Sequence, residues 1–114
     1  MLPGARAAAA RFPFGLGGGY TDVMRILLVA VNARYTHSSL ALRYLRNALT
    51  AEAERRGIVI ELALREYNIS QPRMEVTRDM AACAPDIIMG SCYIWNAEYF
   101  SAILPDLKAL LPAC

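Results

Sequence analysis

From residue 24 onward the chain alternates between two rhythms of apolar side chains. Ile26 to Val31 is an unbroken, β-rich apolar run, of the length of a strand buried on both faces as parallel strands are. A polar stretch without glycine follows. Ala41, Leu42, Leu45, Ala48, Leu49 and Glu52 then recur at three- and four-residue spacing, which predicts a helix with Arg43, Arg46 and Arg55 outward. Ser38 or Ser39 can cap its start, and Gly57 ends it as a left-handed residue would. Ile58, Ile60, Leu62 and Leu64 return to a period of two and predict a second strand, which leads through Arg65, Glu66, Tyr67 and Asn68 into a loop. Pro72 is placed to start a short helix that carries Met74, Met80, Ala81 and Cys83, and Pro85-Asp86 breaks it. Ile87 to Ser91 is a third buried strand. Beyond the loop Cys92-Tyr93-Ile94-Trp95, Asn96 can cap a third helix bearing Phe100, Ile103, Leu107 and Leu110, which Pro105 should kink or split.

The order β-α-β-α-β-α predicts a three-layer α/β fold around a parallel sheet, with strand order 2-1-3. Ligands of such sheets sit beyond the carboxyl ends of the strands, at the switch point between the first and third. Here those ends are residues 32–38 and 91–96, the two most chemically loaded stretches of the chain. The candidate contacts are Asn32, Tyr35, His37 and Ser38 from the first loop, and Ser91, Cys92, Tyr93, Trp95 and Asn96 from the second. A dinucleotide site would place glycines in the first loop, so that backbone could approach a pyrophosphate. Asn32, Arg34, Tyr35, Thr36, His37, Ser38 and Ser39 stand there instead, suited to side-chain contacts. Any one of these residues has a plain structural use, Tyr35 and Trp95 as caps on the sheet edge and His37 in a backbone hydrogen bond. Their convergence on one site favours binding. No carboxylate is among them, so His37 is the only evident base.

Composition narrows the classes further. Hydrophobic residues make up 56 % of 114 and charged residues 19 %, with Lys+Arg 12 against Asp+Glu 10, enough apolar material for one domain's core. Binding of nucleic acid needs clustered positive charge, and none is seen. The apolar runs are far shorter than the roughly 20 residues that cross a bilayer. Three cysteines, Cys83, Cys92 and Cys114, are spaced for neither a disulfide framework nor a zinc site, and read as reduced thiols of a cytoplasmic protein. Cys83 reads as a small core residue on a helix face.

Residues 1–23 follow neither rhythm. They mix an alanine run, two prolines and Gly15-Leu16-Gly17-Gly18-Gly19. Arg11 interrupts the apolar stretch that a secretory signal would need, and no strand precedes the glycines as a phosphate loop requires. They read as a disordered extension, or as coding sequence upstream of a start at Met24.

Three segments, MRILLVAVNARYTHSSLALRYLRNAL, LREYNI and PDIIMGSCYIWN, resemble the N-terminal cobalamin-binding domain of cobalamin-dependent radical S-adenosylmethionine proteins. The resemblance covers Met24 to about Pro112, so residues 24–114 would be part of such a domain. It implies a flavodoxin-like fold in which the corrin ring lies across the carboxyl ends of the strands and the nucleotide tail enters beside the sheet. Cobalamin is then the cofactor, and Ser91 stands where the family's serine contacts the tail. Members with a histidine ligand to cobalt carry Asp-x-His-x-x-Gly after the first strand. Here Asn32 and His37 are five residues apart and no glycine follows, so cobalamin bound without a protein ligand to the metal is expected.

Relatives of full length continue with two more strands and a radical domain, in which Cys-x-x-x-Cys-x-x-Cys holds a four-iron cluster beside S-adenosylmethionine. No such triplet occurs in this chain. The expectation is therefore a cobalamin-binding part of a methyltransferase-like enzyme, without activity of its own, that packs on the radical domain. Two alternatives remain. The N-terminal half of a nucleotide-sugar glycosyltransferase also opens with a strand and helix of this kind, and the other alternative is a truncated module that binds nothing.

Overall fold

Nine residues, MRILLVAVN, form the central strand β1 (Met24–Asn32), and Ile26 through Val31 are all buried. The computed structural model describes residues 23–34 and 39–114. β1 lies between β2 (Ile60–Asn68) and β3 (Ile87–Ser91) in a parallel sheet of order β2-β1-β3. The architecture is α/β, as the pattern of elements predicts, and fits the flavodoxin-like description that the resemblance implies. Moving outward from β1 to β2, and then back across to β3, puts right-handed crossovers on opposite faces of the sheet.

The pleat of β1 sorts the core into two halves. Ile26, Leu28 and Ala30 point to one face and pack with Leu42, Leu45 and Leu49 of helix α1 (Leu40–Arg56). Leu27, Val29 and Val31 point to the other. They pack with Val76 and Met80 of α2 (Arg73–Ala82), and with Tyr99, Phe100, Ile103 and Leu107 of α3 (Ala97–Leu110).

The ends of α1 follow its sequence. Ser39 is the cap, its Oγ accepting from the Leu42 amide at 3.3 Å, and Gly57 closes the helix at φ 67°. Arg55 is exposed, but Arg43 and Arg46 are half-buried rather than fully outward, and Ala41 and Ala48 are exposed. β2 departs from the predicted span at both ends. The Ile58 amide donates to the Ala53 carbonyl at 2.9 Å as part of the helix stop, so the strand begins only at Ile60. It then continues through Arg65, Glu66, Tyr67 and Asn68, which pair with Val29, Ala30, Val31 and Asn32. Their polarity resembles a loop, but a strand at the sheet's edge needs only its backbone to pair.

In α2 the inward residues are Val76, Thr77 and Met80, whereas Met74 is 62 % exposed. Pro72 sits just before the first turn. Cys83 packs against the core as a half-buried thiol. Asp86 ties the start of β3 to β1, its carboxylate accepting from the Arg25 amide and its own amide donating to the Arg25 carbonyl, both at 2.8 Å. α3 runs unsplit through Pro105. The carbonyl four residues earlier, on exposed Ser101, can turn to water when its helical donor is missing. Leu110 is exposed, and Leu111, just past the helix, takes the inward place.

Candidate functional site

Because β1 and β3 are neighbours, their carboxyl ends meet at one end of the sheet, with Ala30 paired to Ser91. Asn96 holds this corner together. Its side chain is 1 % exposed, its Nδ2 donates to the carbonyls of Val31 at 3.0 Å and Ser91 at 2.9 Å, and its Oδ1 accepts from the Tyr93 amide at 2.7 Å. It makes no side-chain cap bond to α3, contrary to the sequence reading. The amide is spent on two strand ends and the loop between them. Aspartate could not replace it, having no N–H to donate.

The loop so held presents a flat aromatic pair. Tyr93 and Trp95 stack with ring centroids 4.4 Å apart and planes 6° from parallel, and remain 44 % and 51 % exposed. Ile94 between them is 97 % exposed, and Cys92 is an exposed free thiol. Ser91 ends β3 on the face shared with Ile87 and Met89. Of the first loop, Asn32 ends β1 and Arg34 is exposed, whereas Tyr35, His37 and Ser38 lie outside the described residues.

A carboxylate does stand at this end of the sheet, which corrects the sequence reading. Glu66, on the part of β2 that reads as a loop, accepts from Ser39 N at 2.7 Å and from Asn32 Nδ2 at 3.2 Å through Oε1, and from Arg43 Nη2 at 2.7 Å through Oε2. Carrying the alternation Leu62, Leu64 one step further places Glu66 on the α1 face. That extension is the signal by which sequence alone could have found it.

On the opposite face, the Tyr67 hydroxyl lies 2.5 Å from Asp79 Oδ2, and the Tyr99 hydroxyl donates to the Gln71 carbonyl at 2.7 Å. Burial pushes the Tyr67 phenol far above its ordinary range, and the hydrogen bond and charge of Asp79 add to the shift. Burial also raises Tyr99, against the Arg73 guanidinium 5.4 Å from its ring centroid. Burial likewise pushes up the Cys114 thiol, which makes it a poor nucleophile. These groups brace the α2–α3 side and are not poised for proton transfer. Among the described residues, no three His, Cys, Asp or Glu side chains are grouped to hold a metal ion, and no helix is long and apolar enough to cross a membrane.

No protein-family model matches the chain, and neither does any curated protein or solved structure. The site's chemistry therefore rests on its own geometry. Among the described residues it is an open corner at the switch point, with the exposed Tyr93–Trp95 stack beside the β3 end and Asn32 at the β1 end.

Proposed function

We propose that this chain binds cobalamin, as the N-terminal part of a cobalamin-dependent radical S-adenosylmethionine enzyme of methyltransferase-like type. The observation that carries the reading is the exposed Tyr93–Trp95 stack, anchored by Asn96 at the switch point. Two solvent-facing rings cost hydration free energy unless they have a flat apolar surface to cover. A corrin is such a surface, with amide groups around its rim.

The residues fit that shape. Tyr93, Ile94 and Trp95 offer apolar contact beside the β3 end, and Asn32 and Ser91 stand at the strand ends where polar rim or tail groups would pass. When bound, the cofactor supplies group-transfer chemistry at cobalt. The chain's own part is to bind and orient it, while S-adenosylmethionine and the four-iron cluster would belong to a radical domain packed against this unit.

Titration with hydroxocobalamin, followed by visible absorption, tests the proposal. Saturable binding is expected, and Tyr93→Ala and Trp95→Ala should each weaken it by about 1–3 kcal/mol, the scale of losing a buried aromatic contact. Equal affinity in both variants would reduce SCYIWN to scaffold. Absence of cobalamin binding together with saturable binding of a uridine-diphosphate sugar would assign the fold to nucleotide-sugar chemistry.

A further inference from the structure

The Glu66 side chain bonds both positions flanking the first site loop. Asn32 is the last residue of β1, and Ser39 is the cap of α1; the same oxygen, Oε1, accepts from both, at 3.2 and 2.7 Å. The other oxygen takes Arg43, in the first turn of α1, at 2.7 Å. The carboxylate thus ties three points of two elements from a third, β2. It lies on the flank away from β3, so it supports the β1 end from behind while Asn96 holds it from the front through the Val31 carbonyl.

We infer that Glu66 is the positioning residue of this site. It fixes where α1 begins relative to the end of β1, and thereby where Asn32 stands beside the β3 end of the site. The ligand in this inference rests on the cobalamin reading; the positioning itself does not. A backbone N–H bonded to a partly buried carboxylate is among the stronger hydrogen bonds available to a helix start, because the charge also faces the positive end of the helix. With its three partners held by one group, loosening that group should loosen all of them together.

Two readouts on the full chain test this. Amide exchange at Ser39 should speed up by about tenfold in Glu66→Leu, the scale of one charge-assisted hydrogen bond, and by less in Glu66→Gln, which keeps an oxygen for Ser39 but loses the Arg43 pairing. Hydroxocobalamin should bind about tenfold more weakly to Glu66→Leu, with Glu66→Gln between it and the unmodified chain. Ile103→Val, which trims the far core, should leave Ser39 exchange and cobalamin affinity unchanged even as the melting temperature falls.

That graded order in exchange supports the positioning role. Ser39 exchange within twofold of the unmodified chain in Glu66→Leu, or equal acceleration in the Leu, Gln and Ile103→Val variants, would overturn it. If the unmodified chain does not bind cobalamin, the cofactor reading fails by itself, and the exchange result still decides the role of Glu66.

Discussion

At the scale of single residues, the site end of the sheet depends on close approach as much as on hydrogen bonds. A Cβ built on Gly90 would meet two ring atoms of Phe100 at 3.0 Å, and Phe100 is itself buried against the core. Ala has less freedom than Gly to lose on folding, worth about 0.4–1 kcal/mol in its favour, but crowding a packed ring costs about 1–3 kcal/mol. Crowding should win. Gly90→Ala is expected to lower the urea midpoint at constant slope, and Gly90→Ala/Phe100→Leu to show favourable coupling. Stabilisation by Gly90→Ala alone would mean that the ring shifts freely. The same scale explains what sequence does not disclose. Asn96 reads as a cap, because asparagine before a helix commonly is one. Its actual partners, the Val31 and Ser91 carbonyls, are backbone groups that no residue pattern announces.

At the scale of elements, most of the fold is legible, since a strand buried on both faces needs an unbroken apolar run and a covering helix needs a stripe. Ile26–Val31 and Leu42, Leu45 and Leu49 meet those needs openly. β2 hides its second half, because Arg65, Glu66 and Asn68 are polar at an edge where only the backbone must pair with β1. Glu66 is missed for that reason. Pro105 is overread: an exposed proline is tolerated where the orphaned carbonyl of Ser101 reaches water. Its cost remains, at up to about 3 kcal/mol against alanine in a helix interior, offset by about 0.4–1 kcal/mol of lost freedom in the unfolded chain. Pro105→Ala should therefore stabilise the protein by up to about 2 kcal/mol in denaturant titrations; a lower midpoint would show that the ring packs usefully.

The link between β2 and α2 has a pH signature. The Tyr67 phenol is raised above its ordinary 10.0 mainly by burial, so its contribution is fully present below that value and is lost as pH climbs past it, when the unfolded chain ionises first. Above about pH 10 this group should therefore destabilise the folded chain progressively as pH rises. Tyr67→Phe should be less stable than the unmodified chain at pH 7, having lost the bond to Asp79, and should show the shallower decline above pH 10. Parallel alkaline profiles for the two proteins would mean that Tyr67 ionises as readily folded as unfolded.

For the whole molecule, the weak point is the outer side of β3. Among the described residues its only strand partner is β1, and Ile87, Ile88, Met89 and Gly90 carry no charge to blunt the open edge. Both faces beside it are largely apolar. On the α1 side a groove of about 280 Å³ is lined by Leu49, Ile58, Ile60, Ile87 and Met89, and on the other side Leu104, Leu107 and Ile88 line a second groove, with Asp86 and Lys108 as its charged members. Edges are usually protected by lysine, proline or a bulge, and an unprotected one pairs with another chain when it can. A sheet of three strands also buries little relative to a chain entropy of roughly 1–2 kcal/mol per residue, so the folded state has small reserves against such pairing. The isolated chain is therefore expected to associate as concentration rises, seen as a growing weight-average mass in sedimentation. Met89→Lys, which sets a charge on the apolar side of the edge, should shift that rise to higher concentration with helical content retained by circular dichroism. A monomer at all concentrations with a sharp, reversible thermal transition would refute the expectation, and would mean that three strands and three helices suffice as a self-standing domain.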